Sequence, residues 1–238
     1  MKKNNNKVIG VLGGMGPGAS ASLYSKIIEY AQYKYGAVQD EDYPPIIIYS
    51  LPLGGFDETG IVDEGMVKSQ LIEGVKKIEL AGCDMIIIAC NTVHVYYEAM
   101  QSAVDIPILN IIEKTKEKVE EAGYKKVGLL VSESTNKLQI YQKEFLTVGI
   151  EIISPNKSQQ IVINNVIEHV MGGNQKIEDI IVLKGIIRDY LAQGSEAVVL
   201  GCTEIPLAIS EVNTDVKLFD AIKTIVESSV DYSLTGEC

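Results

Sequence analysis

The chain has 238 residues, of which 46% are hydrophobic and 22% are charged, a composition typical of water-soluble globular proteins. Its formal net charge of −11 argues against a nucleic-acid partner, because phosphate binding requires clustered Lys and Arg. No apolar run approaches the ~18 residues that a membrane span requires, so we expect no membrane partner.

The N-terminus and the cysteines predict a reducing compartment. Residues 1–7 are basic and polar, and they lead directly into a predicted strand without the apolar core of a signal peptide. The spacing of Cys83, Cys90, Cys202 and Cys238 fits neither a disulfide framework nor a paired-cysteine zinc site. We therefore expect a cytoplasmic protein with free thiols.

Apolar runs and amphipathic segments alternate along the whole chain. The apolar runs lack internal alternation, which indicates strands buried on both faces of a parallel sheet. Strands are predicted at 8–12, 45–51, 85–89, 107–110, 126–131, 151–154, 197–200 and 216–219. Helices are predicted at 18–35, 63–81, 94–104, 112–122, 136–148, 158–171, 177–193 and 221–234. Alternating strands and helices predict parallel βαβ units.

The two halves of the chain repeat one layout. Gly10–Leu12 begins a strand that leads into a helix, and Gly128–Leu130 does the same in the second half. We predict an α/β fold of two similar lobes, 1–121 and 122–219, each a mainly parallel sheet flanked by helices. A pseudo-twofold axis would relate the lobes and place the active site in the cleft between them. The C-terminal helix, 220–238, is expected to pack back on the first lobe.

Cys90 and Cys202 occupy matching positions in the two halves. Each follows an apolar strand and opens a short polar segment, at residues 90–94 and 202–204. Ligands of open α/β folds bind beyond the carboxyl ends of the strands. A lone cysteine in such a place is more often a packed core residue, whereas two at equivalent ends indicate an acid–base pair facing one cleft.

Polar residues next to the two thiols are suited to bind a carboxylate. Asn91, Thr92 and Thr203 lie at predicted helix N-termini, where amide, hydroxyl and backbone N–H groups attract an anion. His94 and Glu204 are candidates to adjust the protonation of the nearby thiol. Helix capping for the histidine, and a favourable charge in a first turn for the glutamate, explain these two residues equally well.

A glycine-rich loop at 13–20 follows the first predicted strand. Its spacing loosely fits a dinucleotide-binding loop, but the second strand supplies no acidic ribose ligand, and no Lys-Ser or Lys-Thr follows. We interpret the loop as one wall of the cleft, with Met15 and Gly16 facing the ligand. Ser132 and Thr135 occupy the matching place in the second half and offer hydroxyl groups there.

A metal site is an alternative use of the same residues. Cys90, His94 and Cys202 would supply three N/S ligands, which together with a water suit catalytic zinc. Nothing else in the spacing calls for a metal. We therefore predict an active site without a metal or another cofactor.

With these motifs the chain resembles the aspartate/glutamate racemase superfamily, specifically its aspartate-racemase branch. The segments CNTVH at 90–94 and GCTEIPL at 201–207 carry most of the resemblance. The glutamate-racemase branch typically has His at the position of Glu204. Further matching segments follow one another in the same order: 10–17, 107–110, 127–130 and 140–145.

The resemblance implies a cofactor-independent amino-acid racemase with two lobes facing each other across the active cleft. One of Cys90 and Cys202 would remove the α-proton as a thiolate, and the other would donate a proton to the opposite face. The resemblance makes aspartate or glutamate the first expected substrate. We also expect a homodimer.

The chain departs from the family pattern where the substrate side chain is bound. Family members that act on acidic amino acids usually carry an Arg after the second strand, but the segment 50–58 has none and contains Asp57 and Glu58. Members also tend to carry a Lys at the start of the helix predicted at 158–171. Ser50 and Lys157 are therefore our candidates for contacting the side chain in this protein.

Several functions stay open on the sequence alone. A racemase of a neutral or basic amino acid fits the missing Arg. A cis–trans isomerase or a decarboxylase of small carboxylic acids would fit the same scaffold, although two thiols together with Glu204 favour racemisation over a one-thiol decarboxylase. A non-catalytic protein that binds an amino acid would use many of the same groups.

Overall fold

The computed structural model describes residues 6–57, 59–209 and 216–236. Glu58, Cys238 and the last residues of the predicted C-terminal helix lie outside this part of the chain. Within it, strands and helices alternate as the sequence predicts. None of the described helices combines the length and the apolar character needed to cross a membrane.

The described strands form two parallel sheets, which confirms the predicted α/β class. The first sheet has the order β2-β1-β3, with β1 at Ile9–Gly13, β2 at Ile46–Ser50 and β3 at Met85–Ile88. The second has the order β5-β4-β6-β7, with β4 at Lys126–Leu130, β5 at Glu151–Ile153, β6 at Ala197–Leu200 and β7 at Lys217–Asp220. Each sheet has the strand that opens its half of the chain, β1 or β4, in an interior position.

Helices connect the strands and cover the sheets. In the first half these are α1 (Pro17–Tyr35), α2 (Glu64–Leu80), α3 (Tyr97–Gln101) and α4 (Ile111–Glu121). In the second half they are α5 (Glu133–Leu138), α6 (Ile140–Leu146), α7 (Lys157–Met171), α8 (Ile177–Ala192), α9 (Ile205–Ala208) and α10 (Ala221–Thr235). Short 3₁₀ helices lie at Asp40–Asp42 and Thr92–Tyr96.

Helices α4 and α10 begin in the same way. The side chain of Asn110 accepts hydrogen bonds from the backbone N–H groups of the second and third residues of α4. Asp220 makes the same pair of bonds at the start of α10. Asn and Asp are preferred at this position because they satisfy donors that have no partner inside the helix. The internal repeat therefore extends to the helix that closes each half.

The side chains of the strands alternate between a shared core and two outer cores. Val11 and Ile87 of the first sheet and Leu129 and Val199 of the second lie in one continuous apolar cluster, which α4, α6 and α10 complete. The strand residues between them face outer cores, one packed against α2 and the other against α7 and α8. Apolar packing therefore holds the two sheets together and fixes how their carboxyl ends face each other.

Two equivalent glycines allow helices to approach the central strands. A Cβ at Gly10 would lie 2.2 Å from Cγ2 of Ile78 on α2, and a Cβ at Gly128 would lie 2.2 Å from Cδ2 of Tyr190 on α8. No side chain fits at either place while the helix stays where it is. The glycines that mark the repeat in the sequence thus mark matching contacts between helix and strand.

The C-terminal helix returns to the first half of the chain. Helix α10 follows β7 of the second sheet and packs against α1 and α4. The hydroxyls of Tyr30 and Tyr35 on α1 both donate to the carboxylate of Asp231 on α10, at 3.3 and 2.8 Å. The backbone N–H of Lys7 donates to the carbonyl of Ser233 at 3.0 Å, which ties the start of the chain to the same helix.

One predicted strand does not form. Residues 107–110 make only an isolated parallel bridge, between Ile86 and Ile108, beside β3. The backbone N–H of Ile108 donates to the side chain of Gln101, and Asn110 already caps α4. These side-chain bonds take the place of a further ladder, so the first sheet ends where β7 extends the second.

Two predicted helices are subdivided. The segment 136–148 is broken at Gln139, whose backbone is left-handed (φ 54°), so α5 ends there and α6 begins with a new direction. The segment 94–104 starts earlier, as the 3₁₀ helix Thr92–Tyr96, before α3 continues it. The turn directly after Cys90 is thereby tighter than an α-helix.

Candidate active site

A cavity of about 190 Å³ lies where the carboxyl ends of the two sheets face each other. Its polar walls come from the loops that follow β1, β3, β4 and β6, and its remaining walls come from the loop after β2 and the end of α7. The volume is below the ~300–1,000 Å³ of sites for drug-sized ligands, so it suits a small metabolite. The cavity occupies the cleft that the sequence predicts.

Most of the predicted site residues line this cavity. Both cysteines do so, and each comes from a different sheet. The other predicted residues that line it are Met15, Gly16, Asn91, Thr92, Ser132, Thr135, Thr203 and Glu204. The structure therefore brings together groups that are more than one hundred residues apart in the chain.

Cys90 lies among hydrogen-bond donors. The backbone N–H groups of Thr92 and Val93 and the hydroxyl of Thr92 are directed at its sulfur. The pKa of the Cys90 thiol is raised to about 12, mainly by burial and also by the charge of Glu204, whereas these donors oppose the shift. Burial thus favours the neutral thiol, but the donors would stabilise a negative charge on this sulfur.

Cys202 lies beside an acceptor. Its Sγ donates to Oε2 of Glu204 at 3.2 Å, and the hydroxyl of Thr203 donates to the same oxygen at 2.7 Å. Burial raises the pKa of the Cys202 thiol well above its ordinary value, and the neighbouring carboxylate and Cys90 raise it further. The two thiols therefore differ, because Cys90 is surrounded by donors and Cys202 already directs its proton at a carboxylate.

His94 does not contact either thiol. Its Nδ1 lies 2.9 Å from the carbonyl oxygen of Cys90, and its Nε2 accepts from the backbone N–H of Ile111 at 3.4 Å. This pair of contacts requires a neutral ring with the proton on Nδ1, and burial lowers the pKa of His94 to about 4. His94 therefore connects the end of β3 to the start of α4, and the predicted direct effect on the thiol is replaced by a positioning role.

The orientation of His94 is also relevant to the alternative zinc site of Cys90, His94 and Cys202. Both ring nitrogens of His94 are engaged with backbone groups, so the ring offers no ligand atom to the two sulfurs. The described residues contain no group of three or more Cys, His, Asp and Glu side chains placed to hold a metal ion.

A cluster of hydroxyl groups joins the two halves inside the cavity. Thr92 Oγ1 lies 2.7 Å from Thr135 Oγ1 and 3.4 Å from Ser132 Oγ, and the last two are 3.0 Å apart. All three residues are buried. The hydroxyls satisfy one another across the interface between the sheets, so they hold the two cavity walls in register.

Asn91 offers a free donor to the cavity. Its Oδ1 accepts from the hydroxyl of Tyr141 at 2.6 Å, so the amide orientation is fixed. Its Nδ2 is buried and has no hydrogen-bond partner among the described residues. A buried donor without a partner costs free energy, typically about 1–3 kcal/mol, that a bound acceptor would recover.

Ser50 and Lys157 are not brought to the cavity. Ser50 ends β2 at the edge of the first sheet, where its side chain is exposed. Lys157 is the exposed first residue of α7, whereas the cavity is lined by Ile167 and Met171 near the other end of that helix. Ten residues of α-helix span ~15 Å, which places the ammonium group of Lys157 too far away to contact a ligand there.

The structure adds an apolar wall that the sequence analysis missed. Leu53 and Phe56 come from the loop after β2, and Ile167 and Met171 come from α7. The spacing of the last two, four residues apart, is the only local signal for a common helix face. Nothing in the sequence shows which tertiary surface that face covers.

The loop after β2 reaches across to the second half. The hydroxyl of Ser134 donates to the carbonyl of Asp57 at 3.0 Å, and the ammonium of Lys137 donates to the carbonyl of Thr59 at 3.4 Å. The Asp57 carboxylate accepts from the Thr59 hydroxyl and from the N–H groups of Thr59 and Gly60. The bond from the Thr59 hydroxyl is the main cause that lowers the pKa of Asp57, so the cavity wall carries its negative charge at neutral pH.

The cavity lining is acidic. Asp57 and Glu204 are the charged residues among the described residues that line it, and no Lys or Arg is among them. Any charge complementarity in this site must therefore be toward a cationic group, such as the α-ammonium of an amino acid.

Comparisons with known proteins agree with this architecture. The family model described as Asp/Glu/Hydantoin racemase matches residues 12–228. The protein named broad specificity amino-acid racemase RacX, from Bacillus subtilis (strain 168), is 32% identical over 94% of this chain and 96% of its own length.

Solved structures with the same fold are also found. An aspartate racemase homologue from Pyrococcus horikoshii OT3 superposes with a TM-score of 0.79 at 32% identity, covering 95% of this chain and 99% of the other. An aspartate racemase from Picrophilus torridus shares the fold, with a TM-score of 0.77 at 24% identity over 96% and 94% of the two chains. The chain belongs to the Asp/Glu/hydantoin racemase family.

Proposed function

We propose that this protein, an amino-acid racemase of the Asp/Glu/hydantoin racemase family, inverts the α-carbon of a free amino acid by proton transfer between Cys90 and Cys202, without a cofactor. One observation carries the proposal: two buried thiols from different sheets line a single small cavity, and only the Cys202 thiol donates to a carboxylate among the described hydrogen bonds. Racemisation requires an acceptor on one side of the α-carbon and a donor on the other.

The reaction needs one ionised and one neutral thiol at a time. A thiolate at Cys90 takes the α-proton, so that the C–H bond breaks and an S–H bond forms. The Cys202 thiol then gives its proton to the opposite face of the carbanion and becomes the thiolate, and the reverse direction exchanges these roles. A second thiolate in the same cavity would be disfavoured by charge repulsion.

The groups that follow the two strands are suited to hold the α-carboxylate. Asn91 supplies the free Nδ2 donor, and Thr92 and Thr203 line the cavity beside it in the turns that follow β3 and β6. Negative charge moves onto this carboxylate when the α-proton leaves, so fixed donors there stabilise the transition state more than the ground state. The α-proton is a very weak acid, and much of the rate enhancement must come from this source.

Glu204 has a double role in the proposal. Its carboxylate accepts a hydrogen bond from the Cys202 thiol. It is also one of the two negative charges among the described residues of the cavity wall. An α-ammonium group bound near it would offset the Coulombic effect that raises the pKa of both thiols. Binding of the amino acid would thereby favour the thiolate that the reaction requires.

The two-thiol reaction does not determine which side chain the substrate carries. Aspartate and glutamate are the substrates that the family resemblance favours, but the described lining has no Lys or Arg to pair with a second carboxylate. The name broad specificity amino-acid racemase, which belongs to the Bacillus subtilis relative, supports a wider range that includes neutral or basic amino acids. The proposed proton transfer takes place at the α-carbon, whatever side chain the amino acid carries. The homodimer and the cytoplasmic location expected from the sequence stay predictions.

The decisive experiment follows single enantiomers of a panel of amino acids by chiral chromatography. We expect Cys90→Ala and Cys202→Ala each to lower the rate of racemisation by at least about a thousandfold, because removal of a catalytic group typically has such effects. Each one-thiol variant should still exchange the α-proton of one enantiomer in deuterated water.

Cys83→Ala is the matched control. Cys83 is also buried, but it precedes β3 and lies at the opposite end of the sheet from Cys90. The control should keep the parent rate. Racemisation at the parent rate by either catalytic variant would refute the two-thiol mechanism, release of carbon dioxide would indicate a decarboxylase, and binding without turnover would indicate a sensor.

A further inference from the structure

We infer that the side-chain subsite of this cavity selects uncharged, apolar side chains, so that the preferred substrates are neutral aliphatic or thioether amino acids rather than aspartate or glutamate. The inference rests on the proposed function, since it assigns the substrate class of the same site. It comes from the chemistry of the cavity lining, whose polar groups (the polar side) and apolar side chains (the apolar side) are supplied by different elements.

The polar side is accounted for by the reacting groups. The two thiols, Asn91, Thr92 and Thr203 all follow strand ends and lie together there. These groups must face the α-carbon and the α-carboxylate for the proposed reaction to occur. The side chain of the substrate is therefore left to contact the apolar residues of the lining.

The apolar side is formed jointly by the two halves of the protein. Leu53 and Phe56 approach from the loop after β2, while Ile167 and Met171 approach from the last two turns of α7. Ile167 is fully buried, whereas Met171 remains 55% exposed. The part of the lining from α7 therefore extends from a buried residue to one that is exposed at the surface.

Charge argues against an anionic side chain. Transfer of a carboxylate into a partly buried site requires a paired cation or several free donors. The charged residues of the described lining, Asp57 and Glu204, are both acidic. The hydroxyls of Thr92, Ser132 and Thr135 already use one another as hydrogen-bond partners, so they are poor substitutes for a cation.

A cationic side chain gains little from the same wall. The Oδ1 atom of Asp57 already accepts three hydrogen bonds within its own loop, and the residue is exposed to water, which screens its charge. An apolar side chain instead displaces water from Leu53 and Phe56, which are partly exposed. Each buried methylene corresponds to about a fourfold gain in affinity.

The test compares kcat/KM for methionine, norleucine, alanine, aspartate, glutamate, lysine and arginine in the full-length enzyme. We expect methionine and norleucine to exceed aspartate and glutamate by at least about a hundredfold, and to exceed alanine by about tenfold or more. Phe56→Ala should lower the methionine-to-alanine ratio. Higher kcat/KM for aspartate or glutamate, or for lysine or arginine, would overturn the inference.

Two lysine substitutions on α7 separate the effect of a charge in the subsite from a general effect of the substitution on the helix. Met171→Lys places an ammonium at the mouth of the apolar side and should raise the ratio of glutamate to methionine kcat/KM by about tenfold. Ile161→Lys is the control, because Ile161 is a 64% exposed residue of the same helix that does not line the cavity. It should leave the ratio unchanged, and an equal effect of both variants would contradict the assigned subsite.

Failure of the proposed function would look different. Alanine in deuterated water reports the reaction at the α-carbon with almost no side-chain contribution. If no amino acid of the panel, alanine included, exchanges its α-proton, the racemase mechanism is wrong. If alanine exchanges but the acidic or basic members are the best substrates, the mechanism stands and the apolar subsite is wrong.

Discussion

At the scale of single residues, the two thiols are equivalent in sequence and different in chemistry. Cys90 is followed by a tight turn whose N–H groups point at the sulfur. Cys202 is followed by Glu204, whose carboxylate accepts a hydrogen bond from the thiol. In the proposed mechanism, this difference prepares the site for one direction of proton transfer, and substrate binding must allow the roles to exchange.

Replacement of Glu204 tests this asymmetry. We expect Glu204→Gln to lower the pKa of Cys202 and of Cys90, because the Coulombic effect of the carboxylate raises both. The thiolate ultraviolet absorbance should rise at lower pH than in the parent. The titration is best done with Cys83 and Cys238 replaced by Ala, so that the signal comes from the two cavity thiols.

Glu120→Gln provides the matched control for that titration, since Glu120 is an exposed residue of α4. It should leave the absorbance curve in place. An unchanged curve for Glu204→Gln would mean that its carboxylate does not act on the thiols, and would remove its role from the mechanism.

His94 predicts a specific loss of stability in acid. Its pKa is about 4 in the folded protein, below the ordinary 6.5, because burial disfavours the charged ring. The resulting contribution to stability is present above pH 6.5 and is lost as the pH falls toward about 4, since only the unfolded chain takes up the proton. His94→Asn should therefore flatten the pH dependence of the unfolding free energy in this window.

The measurement is urea unfolding at a series of pH values, with nuclear magnetic resonance of the imidazole groups as a direct check. The chain has two histidines, so the resonances are readily separated. We expect the ring of His94 to stay neutral, with its proton on Nδ1, down to about pH 4. A His94 resonance that titrates near pH 6.5 would contradict the buried, neutral ring.

At the scale of secondary-structure elements, the contacts between helix and central strand are the most restrictive. Gly10→Ala and Gly128→Ala should each destabilise the protein by about 1–3 kcal/mol, because the added methyl group overlaps Ile78 or Tyr190 and forces the helix away. Gly185→Ala is the control. Gly185 lies within α8 with open space around its Cα, and Ala is the better helix former by about 1 kcal/mol.

These three variants are compared by urea denaturation. The expected order of stability is Gly185→Ala, parent, and then the two strand variants. Equal stability of Gly128→Ala and Gly185→Ala would show that α8 moves at no cost. The internal repeat would then have no common packing cause.

Most elements could be predicted from the sequence because their signals are local. Buried parallel strands produce apolar runs, and Asn or Asp before a run of helix formers marks the helix starts at Asn110 and Asp220. The break at Gln139 could not be predicted, because a glutamine rarely adopts a left-handed backbone and no Gly or Pro marks the position. Whether 107–110 forms a strand depends on a side-chain bond from Gln101, seven residues before Ile108, which an apolar run does not reveal.

At the scale of the whole molecule, the shared core makes the two sheets interdependent. Helix α10 follows the last strand of the second sheet and fills the core beside the first. We expect Ile225→Ala, a fully buried change in this helix, to cost about 2–5 kcal/mol. Because both sheets contact the cluster, the helical circular dichroism and the reactivity of the cavity thiols should change in one transition.

Leu80→Ala is the control for this variant, since Leu80 is 86% exposed at the end of α2. It should change the unfolding free energy by less than about 0.5 kcal/mol. Two separate transitions in Ile225→Ala, one for each probe, would show that the halves unfold independently in spite of their common core.

A site residue could be predicted from the sequence where its position along the chain, rather than the packing of a whole helix, places it at the cavity. Polar residues directly after strand ends are marked by their position, and both cysteines and their neighbours therefore line the cavity as the sequence predicts. The apolar wall from Ile167 and Met171 depends on how α7 crosses the second sheet, which no local pattern encodes. For the same reason the sequence does not show that Lys157, the first residue of that helix, lies at the end away from the cavity.

The bond from the Tyr141 hydroxyl to Asn91 extends the influence of the shared core to the ligand. In the proposed mechanism, the amide that binds the α-carboxylate is thus held in place by a ring packed in the interior. The site is in that sense preorganised: the entropy of ordering this donor is lost during folding rather than during each catalytic cycle. Recognition of the amino acid should accordingly involve little rearrangement on this side of the cavity, and evolutionary change in affinity can arise from core residues that never meet the substrate.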